Sequence, residues 1–295
     1  MRLIDPVRDL AGILQSVEKP GRYVGGEYGS IVKESAALRV AISYPDLYEI
    51  AMSNSAVRIL YSVLNSLPDV LCERVFAPAP DFESRLRGAG VPLYSLETGR
   101  ALRDFDIVGF SVGYELTMTN ALAILDCGFV TVETERRDEG EPIVIVGGPA
   151  ASNPVPFGIF ADFVFIGEAE GWAQRVFSEL GRLRKRGASR NDLLAYLRSD
   201  ASVWHPGRTG PVRRALWRGF AGRAADMCFP VPNIRVVQDH GVIEIMRGCP
   251  NACRFCHATV YYRACRQKSR ALILREAEHL VIDGGYREIS LSSLS

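Results

Sequence analysis

LRVAISYPDLYEIAMSNSAVRILYSVLN, residues 38–65, passes within a few positions from a run suited to a buried strand to a stretch with apolar residues at helical spacing. The run Leu38–Ser43 is rich in β-branched and aliphatic residues, as in a strand covered on both faces. Similar runs recur at Val70–Phe76, Asp106–Ser111, Ile143–Val146 and Asp162–Ile166. Between them the spacing predicts helices at about Ser53–Asn65, Phe82–Gly88, Thr117–Cys127 and Pro156–Phe160, with Gly128 stopping the third. Strands alternating with helices predict an α/β fold on a parallel sheet.

A longer helix is expected from Glu170 to about Arg186, acidic at its start and basic at its end, which complements the helix dipole. It closes a domain spanning 38–186, preceded by a lead segment, 1–37. Residues 187–239 shift toward Arg, Pro and Gly and read as a bridge with one short helix and then irregular or hairpin structure. From His240 a new unit begins, 240–295. It reads as strand Val242–Arg247, loop Gly248–Lys268, helix Ser269–Ile282 with Ser269 as N-cap, turn Asp283-Gly284-Gly285, and strand Arg287–Leu291. Strand, crossover helix and second strand make one βαβ unit.

With 295 residues, two domains are expected. The 35 basic residues nearly balance the 34 acidic ones, so no global field draws the chain to nucleic acid or an anionic membrane. Asp5, Arg8 and Asp9 interrupt the start where a signal peptide needs an apolar run, and the apolar stretch 157–166 is broken by Asp162. A cytoplasmic protein without a membrane segment is the expectation.

Four of the seven cysteines crowd into Cys249–Cys265, a poor disulfide framework for a chain of this size. The loop RGCPNACRFCHA sets Cys249, Cys253 and Cys256 in a C-x3-C-x2-C spacing. Three thiolates suit a four-iron cluster with one iron left open for another ligand. A zinc site using Cys253, Cys256 and two of Cys249, His257 or Cys265 is an alternative, although structural zinc normally uses two paired knuckles. A thioredoxin-like dithiol at Cys253 and Cys256 is weaker, because that motif opens a helix after the first strand of its own domain.

The strand VIEIMRG followed by these cysteines, with Phe255 just before the third, resembles the radical S-adenosylmethionine (SAM) superfamily. The resemblance implies that Cys249, Cys253 and Cys256 bind a [4Fe-4S] cluster whose open iron is chelated by the amino and carboxylate groups of SAM. It further implies cleavage of SAM to a 5′-deoxyadenosyl radical, an electron donor for the cluster, and Phe255 near the adenine. The superfamily's Gly-Gly-Glu contact to the cofactor amino group belongs after the second barrel strand. Here that place holds the serine-rich run 290–295, whose Ser292 and Ser293 are the substitutes, while Gly25-Gly26-Glu27 lies far upstream.

The first domain resembles the doubly wound, flavodoxin-like cobalamin-binding domain that precedes some radical SAM barrels. Its fingerprint maps onto Asp46, Ser111 and the pair Gly147-Gly148, each after a strand, where open α/β sheets place ligands. The histidine position of the fingerprint holds Tyr48 and its last glycine position Ala51, so a histidine ligand to cobalt is absent. Together with VEKPGRYVGGEYGSIVKE, VGGPAASNP and IGEAEG, these segments resemble an uncharacterised group of cobalamin-binding-domain radical SAM proteins. That group is fused or linked to a further carboxyl-terminal domain of unknown function.

Arg208, Arg213, Arg214, Arg218 and Arg223 are a candidate contact for RNA or a phosphorylated substrate, with a solvated bridge as the plainer reading. His257, Tyr261 and Tyr262 are candidates to line the site or simply to pack under the loop. A (β/α)8 barrel needs about 250 residues, so the 240–295 unit is expected to be the start of a truncated barrel with frayed edges. Three functions are carried forward: a radical SAM enzyme or a fragment of one, a non-catalytic cobalamin-like ligand-binding module with a remnant cluster loop, and a small zinc protein.

Overall fold

The computed structural model describes residues 3–222 and 229–294, and Arg223 and Ser295 lie outside them. The chain divides into two compact units, Met1–Ala215 with Cys228–Val236, and Leu216–Met227 with Val237–Ser295.

The first unit opens with short helices α1 (Pro6–Asp9) and α2 (Ala11–Leu14), then continues through β1 (Leu38–Ser43), α3 (Tyr48–Ala51), α4 (Ser55–Asn65), β2 (Val70–Arg74), α5 (Pro80–Ala89), β3 (Ile107–Ser111), α6 (Met118–Cys127), β4 (Ile143–Gly147), β5 (Phe163–Phe165), α7 (Ala169–Lys185), α8 (Arg190–Arg198) and β6 (Val203–Trp204). The sheet order is β2-β1-β3-β4-β5-β6, parallel except for β6, which pairs antiparallel to β5. Its first five strands follow the flavodoxin-like winding, in which the connection reverses direction between β1 and β3.

Each central strand is buried on both faces. Val40, Ile42, Ile107, Ile145 and Phe163 join a core with α4, α7 and α8, whereas Ala41, Val108, Phe110 and Val144 join a second core with α2, α5 and α6. Covering both faces explains why these strands read as continuous apolar runs rather than alternating ones.

Several expectations need correction. Pro156–Phe160 is not an α-helix but part of a 3-10 turn, Val155–Ile159, which Pro154 precedes as N-cap. Gly128 does follow α6, but at φ −82. A side chain there would strike Leu102 Cβ at 2.6 Å, so close approach demands the glycine and Phe129 takes the left-handed turn instead. The segment read as a bridge is divided: α8, capped by a Ser189–Asp192 capping box, and β6 extend the first unit's sheet and core.

Charge holds the lead segment to the sheet within the first unit. Arg74, on β2 and fully buried, donates from Nε to Glu97 at 2.6 Å and from Nη2 to Glu27 at 3.1 Å. Glu27 also accepts from the Tyr48 hydroxyl at 3.0 Å. Gly25 and Gly26 are both left-handed, and a side chain on Gly25 would enter the Leu96 carbonyl. Gly25-Gly26-Glu27 is therefore a structural clamp.

The second unit contains β7 (Gly241–Glu244), β8 (Met246–Arg247), α9 (His257–Tyr261), β9 (Arg266–Gln267), α10 (Arg270–Ile282) and β10 (Ile289–Ser292). β10 pairs parallel with β7 around α10, which gives the expected βαβ unit. Ser269 caps α10 by accepting from Leu272 N, and left-handed Gly285 ends the following turn. The expected strand Val242–Arg247 is broken at Ile245, because Met246 and Arg247 leave β10 and pair antiparallel with β9.

Candidate functional site

The cysteine loop leaves β8 at Arg247 and returns through α9 to β9. Gly248 is buried with φ +92, and a side chain on it would lie 2.7 Å from both the Cys265 Cα and the Tyr262 carbonyl. Ala252 is also left-handed, at φ +49, which curls the chain between Cys249 and Cys253. The Cys256 amide donates to the Cys253 carbonyl at 3.1 Å, so the C-x2-C segment forms a closed turn, and Cys256 is the N-cap residue of α9. Cys253 is exposed, Cys249 and Cys256 are half-exposed, and none of them is in a disulfide. Among the described residues no three Asp, Glu, His or Cys side chains converge as a metal site. The three thiols thus share one short loop without forming a ready-made cage.

The electrostatics around the loop were not foreseen from sequence. From Arg247 to Arg270 the chain carries Arg247, Arg254, Arg263, Arg266, Lys268 and Arg270 and no acidic residue. Phe220, only 1 % exposed, lies under three of these cations: Arg247 Cζ at 4.7 Å, Lys268 Nζ at 5.2 Å and Arg266 Cζ at 5.8 Å from its ring centre. Glu244 pairs with Arg247 at 2.7 Å and Glu276 with Lys268 at 2.7 Å, anchoring both strands that frame the loop. Cysteine thiolates are the usual ligands of iron–sulfur clusters. The donor set, the curled loop and the cationic frame fit an iron–sulfur cluster.

Phe255, at 93 % exposure, holds its ring in solvent beside the cysteines. Ser292 is the last residue of β10, in register with Glu244 of β7, so it sits at the same strand end from which the chain runs on into the loop; Ser293 follows, also exposed. His257 opens α9 with its ring tilted 5.6 Å from Tyr261, which is buried against Tyr262.

In the first unit, Asp46, Ser111, Gly147 and Gly148 follow or end β1, β3 and β4, which are adjacent in the sheet, with Ser111 directly opposite Gly147. Gly148, at φ +104, abuts the Val112 backbone so closely that no side chain fits. Tyr48 is 1 % exposed, tied to Glu27 and to the Asn233 amide, and burial raises its hydroxyl well above the usual range. It is an interior residue, and these positions do not fit a cobalamin held by a protein side chain from that site. Arg208 donates to the carbonyls of Asp200 and Val203, and Arg214 pairs with Glu168 at 3.1 Å, while Arg213 and Arg218 are exposed. No helix among the described residues is long and apolar enough to cross a membrane.

The chain is 25% identical over 230 residues to the uncharacterized protein MJ0966 of Methanocaldococcus jannaschii, covering 76% of this chain and 41% of that one. Its fold is similar to that of TsrM from Kitasatospora setae, a radical S-adenosylmethionine methyltransferase. The structure of TsrM with tryptophan and a SAM analogue matches with TM-score 0.53 at 15% identity, covering 86% of this chain and 47% of TsrM. The structure with cobalamin and a [4Fe-4S] cluster matches with TM-score 0.52 at 15% identity, covering 88% and 48%. The chain spans less than half the length of each of these proteins. Residues 56–206, all within the first unit, match the family described as radical SAM proteins, N-terminal, and the chain belongs to that family.

Proposed function

We propose that the second unit holds a [4Fe-4S] cluster on Cys249, Cys253 and Cys256 and offers its open iron to S-adenosylmethionine, as part of a radical enzyme. The observation that carries this reading is the C-x3-C-x2-C loop following the first strand of a parallel βαβ unit, in a chain whose first unit belongs to the radical SAM proteins. A cluster held by Cys249, Cys253 and Cys256 would supply one electron for reductive cleavage of SAM. The chain's own part is to present three free thiols on one curled loop, framed by Arg247, Arg266 and Lys268 stacked on Phe220, which suits a reducing, cytoplasmic compartment. Phe255 offers a ring face for the adenine, and Ser292 and Ser293 offer hydroxyls to the cofactor's amino group. The electron comes from an external donor, for which the acid-free segment 247–270 suits an acidic partner.

Anaerobic reconstitution with iron and sulfide tests the reading. The wild-type chain should take up about four irons with visible sulfur-to-iron absorbance, and Cys249→Ala, Cys253→Ala and Cys256→Ala should each lose it. Zinc in place of iron, or iron uptake indifferent to these substitutions, would contradict it.

A second reading concerns the first unit, where buried Ser43 Oγ at the end of β1 has no hydrogen-bond partner among the described residues, next to the β1–β3 switch point. A cobalamin bound along this edge would have no axial ligand from Tyr48. Equilibrium dialysis of the whole chain against cobalamin tests it, and absence of binding removes it.

A further inference from the structure

Three cysteines satisfy the cluster motif, and a fourth, Cys265, stands beside it. β8 and β9 pair antiparallel with Arg247 opposite Arg266, so the same register carried one step further sets Gly248 opposite Cys265. The packing agrees, since a Cβ on Gly248 would lie 2.7 Å from the Cys265 Cα. Adding one carbon–carbon bond of about 1.5 Å limits the two Cα atoms to about 4.2 Å apart. One further trans peptide, about 3.8 Å, limits the Cα of Cys249 to about 8 Å from that of Cys265. Cys265 is exposed and in no disulfide. The segment that follows it is fixed by Arg266 donating to the Trp217 carbonyl at 2.9 Å and by the Lys268–Glu276 pair at 2.7 Å. The Cys265 backbone is thus held within about 8 Å of Cys249 by packing that does not depend on a cluster. His257, the other ligand-type side chain in the loop, is a nitrogen donor tilted against Tyr261, whereas cluster iron is usually held by thiolate.

Building on the cluster reading above, we infer that Cys265 is a displaceable fourth thiolate, which caps the iron left open by Cys249, Cys253 and Cys256 until SAM arrives. The exchange moves no electrons. The Cys265 thiol gives its proton to solvent as the sulfur–iron bond forms, and regains one when the amino and carboxylate groups of SAM take its place. The cap shields the open iron from solvent species in the absence of cofactor, and SAM must compete with it. If the capped form is populated about nine times in ten, apparent SAM affinity is about tenfold weaker than in a chain lacking the cap.

The test compares the reconstituted wild-type chain with Cys265→Ala and with Cys265→Ser, which keeps the size of the side chain. All three should hold equal iron. Without SAM, the electron paramagnetic resonance spectrum of the reduced cluster in both variants should differ from wild type. Saturating SAM should bring the spectra together, and both variants should bind SAM about tenfold more tightly. Superimposable spectra without SAM together with equal SAM affinity would overturn the inference. Cluster loss in the variants alone would also overturn it, by making Cys265 a fixed ligand. A wild-type chain that assembles no cluster overturns the underlying reading and the cap with it.

Discussion

Replacing Arg74 with methionine probes how the lead segment is held to the sheet. The guanidinium is fully buried between Glu97 at 2.6 Å and Glu27 at 3.1 Å, with Met52 Sδ at 3.0 Å, so a thioether of similar reach fits but leaves two carboxylates without their counter-charge. Breaking a buried pair from one side costs about 3–5 kcal/mol, and for a unit of this size each kcal/mol lowers Tm by roughly 2–4 °C, so a loss of roughly 6–20 °C is expected. The pH dependence carries a sign. Burial already raises the Glu97 carboxyl above its usual range despite Arg74. A raised folded pKa contributes stability below the unfolded value that is lost as pH rises through the folded one. Without Arg74 that pKa climbs further, so the deficit of Arg74→Met should be greater near about pH 8 than near about pH 5. Urea unfolding followed by tryptophan fluorescence, in a Trp217→Phe background that leaves Trp172 and Trp204 of the first unit, reads this directly. The triple variant Arg74→Met/Glu27→Gln/Glu97→Gln should recover much of the loss. Wild-type stability in Arg74→Met, or a deficit that grows on acidification, would refute the reasoning.

Gly148→Ala, which forces a side chain into the Val112 backbone at φ +104, should cost about 2 kcal/mol or more in the same urea assay. Ser189→Ala removes the side-chain half of the α8 capping box, while the backbone N–H of residue 189 still donates to Asp192, and should cost about 1 kcal/mol, with no effect on metal content. Phe220→Ala empties the ring beneath three cations and should destabilise the second unit by about 3–5 kcal/mol; faster proteolysis within 237–294, with the first unit's fluorescence transition unchanged, checks it.

The parallel sheet was legible because each strand is covered on both faces and its apolar run is uninterrupted, so β1, β3, β4 and β5 were placed to within a few residues. β6 was not, since two residues added antiparallel to an edge leave no periodic signal. The cysteine spacing was read from local sequence alone. The frame around it was not, since Phe220, Arg247 and Lys268 meet only through the fold and nothing in their spacing announces a shared ring. Glu27 and Arg74 are 47 residues apart, and the charged pair Glu73-Arg74 inside the run Val70–Phe76 was the one hint that buried partners existed. Tyr48 sits at the fingerprint's histidine position, and only the structure shows that its hydroxyl is used inside the core by Glu27 and Asn233.

Mössbauer spectroscopy of the iron-57 reconstituted whole chain, recorded with and without S-adenosylmethionine, tests the central claim most directly. About one iron in four should change its signal when SAM is added, while the other three, held by Cys249, Cys253 and Cys256, stay the same. Four irons unaffected by SAM, or no cluster signal at all, would contradict the account.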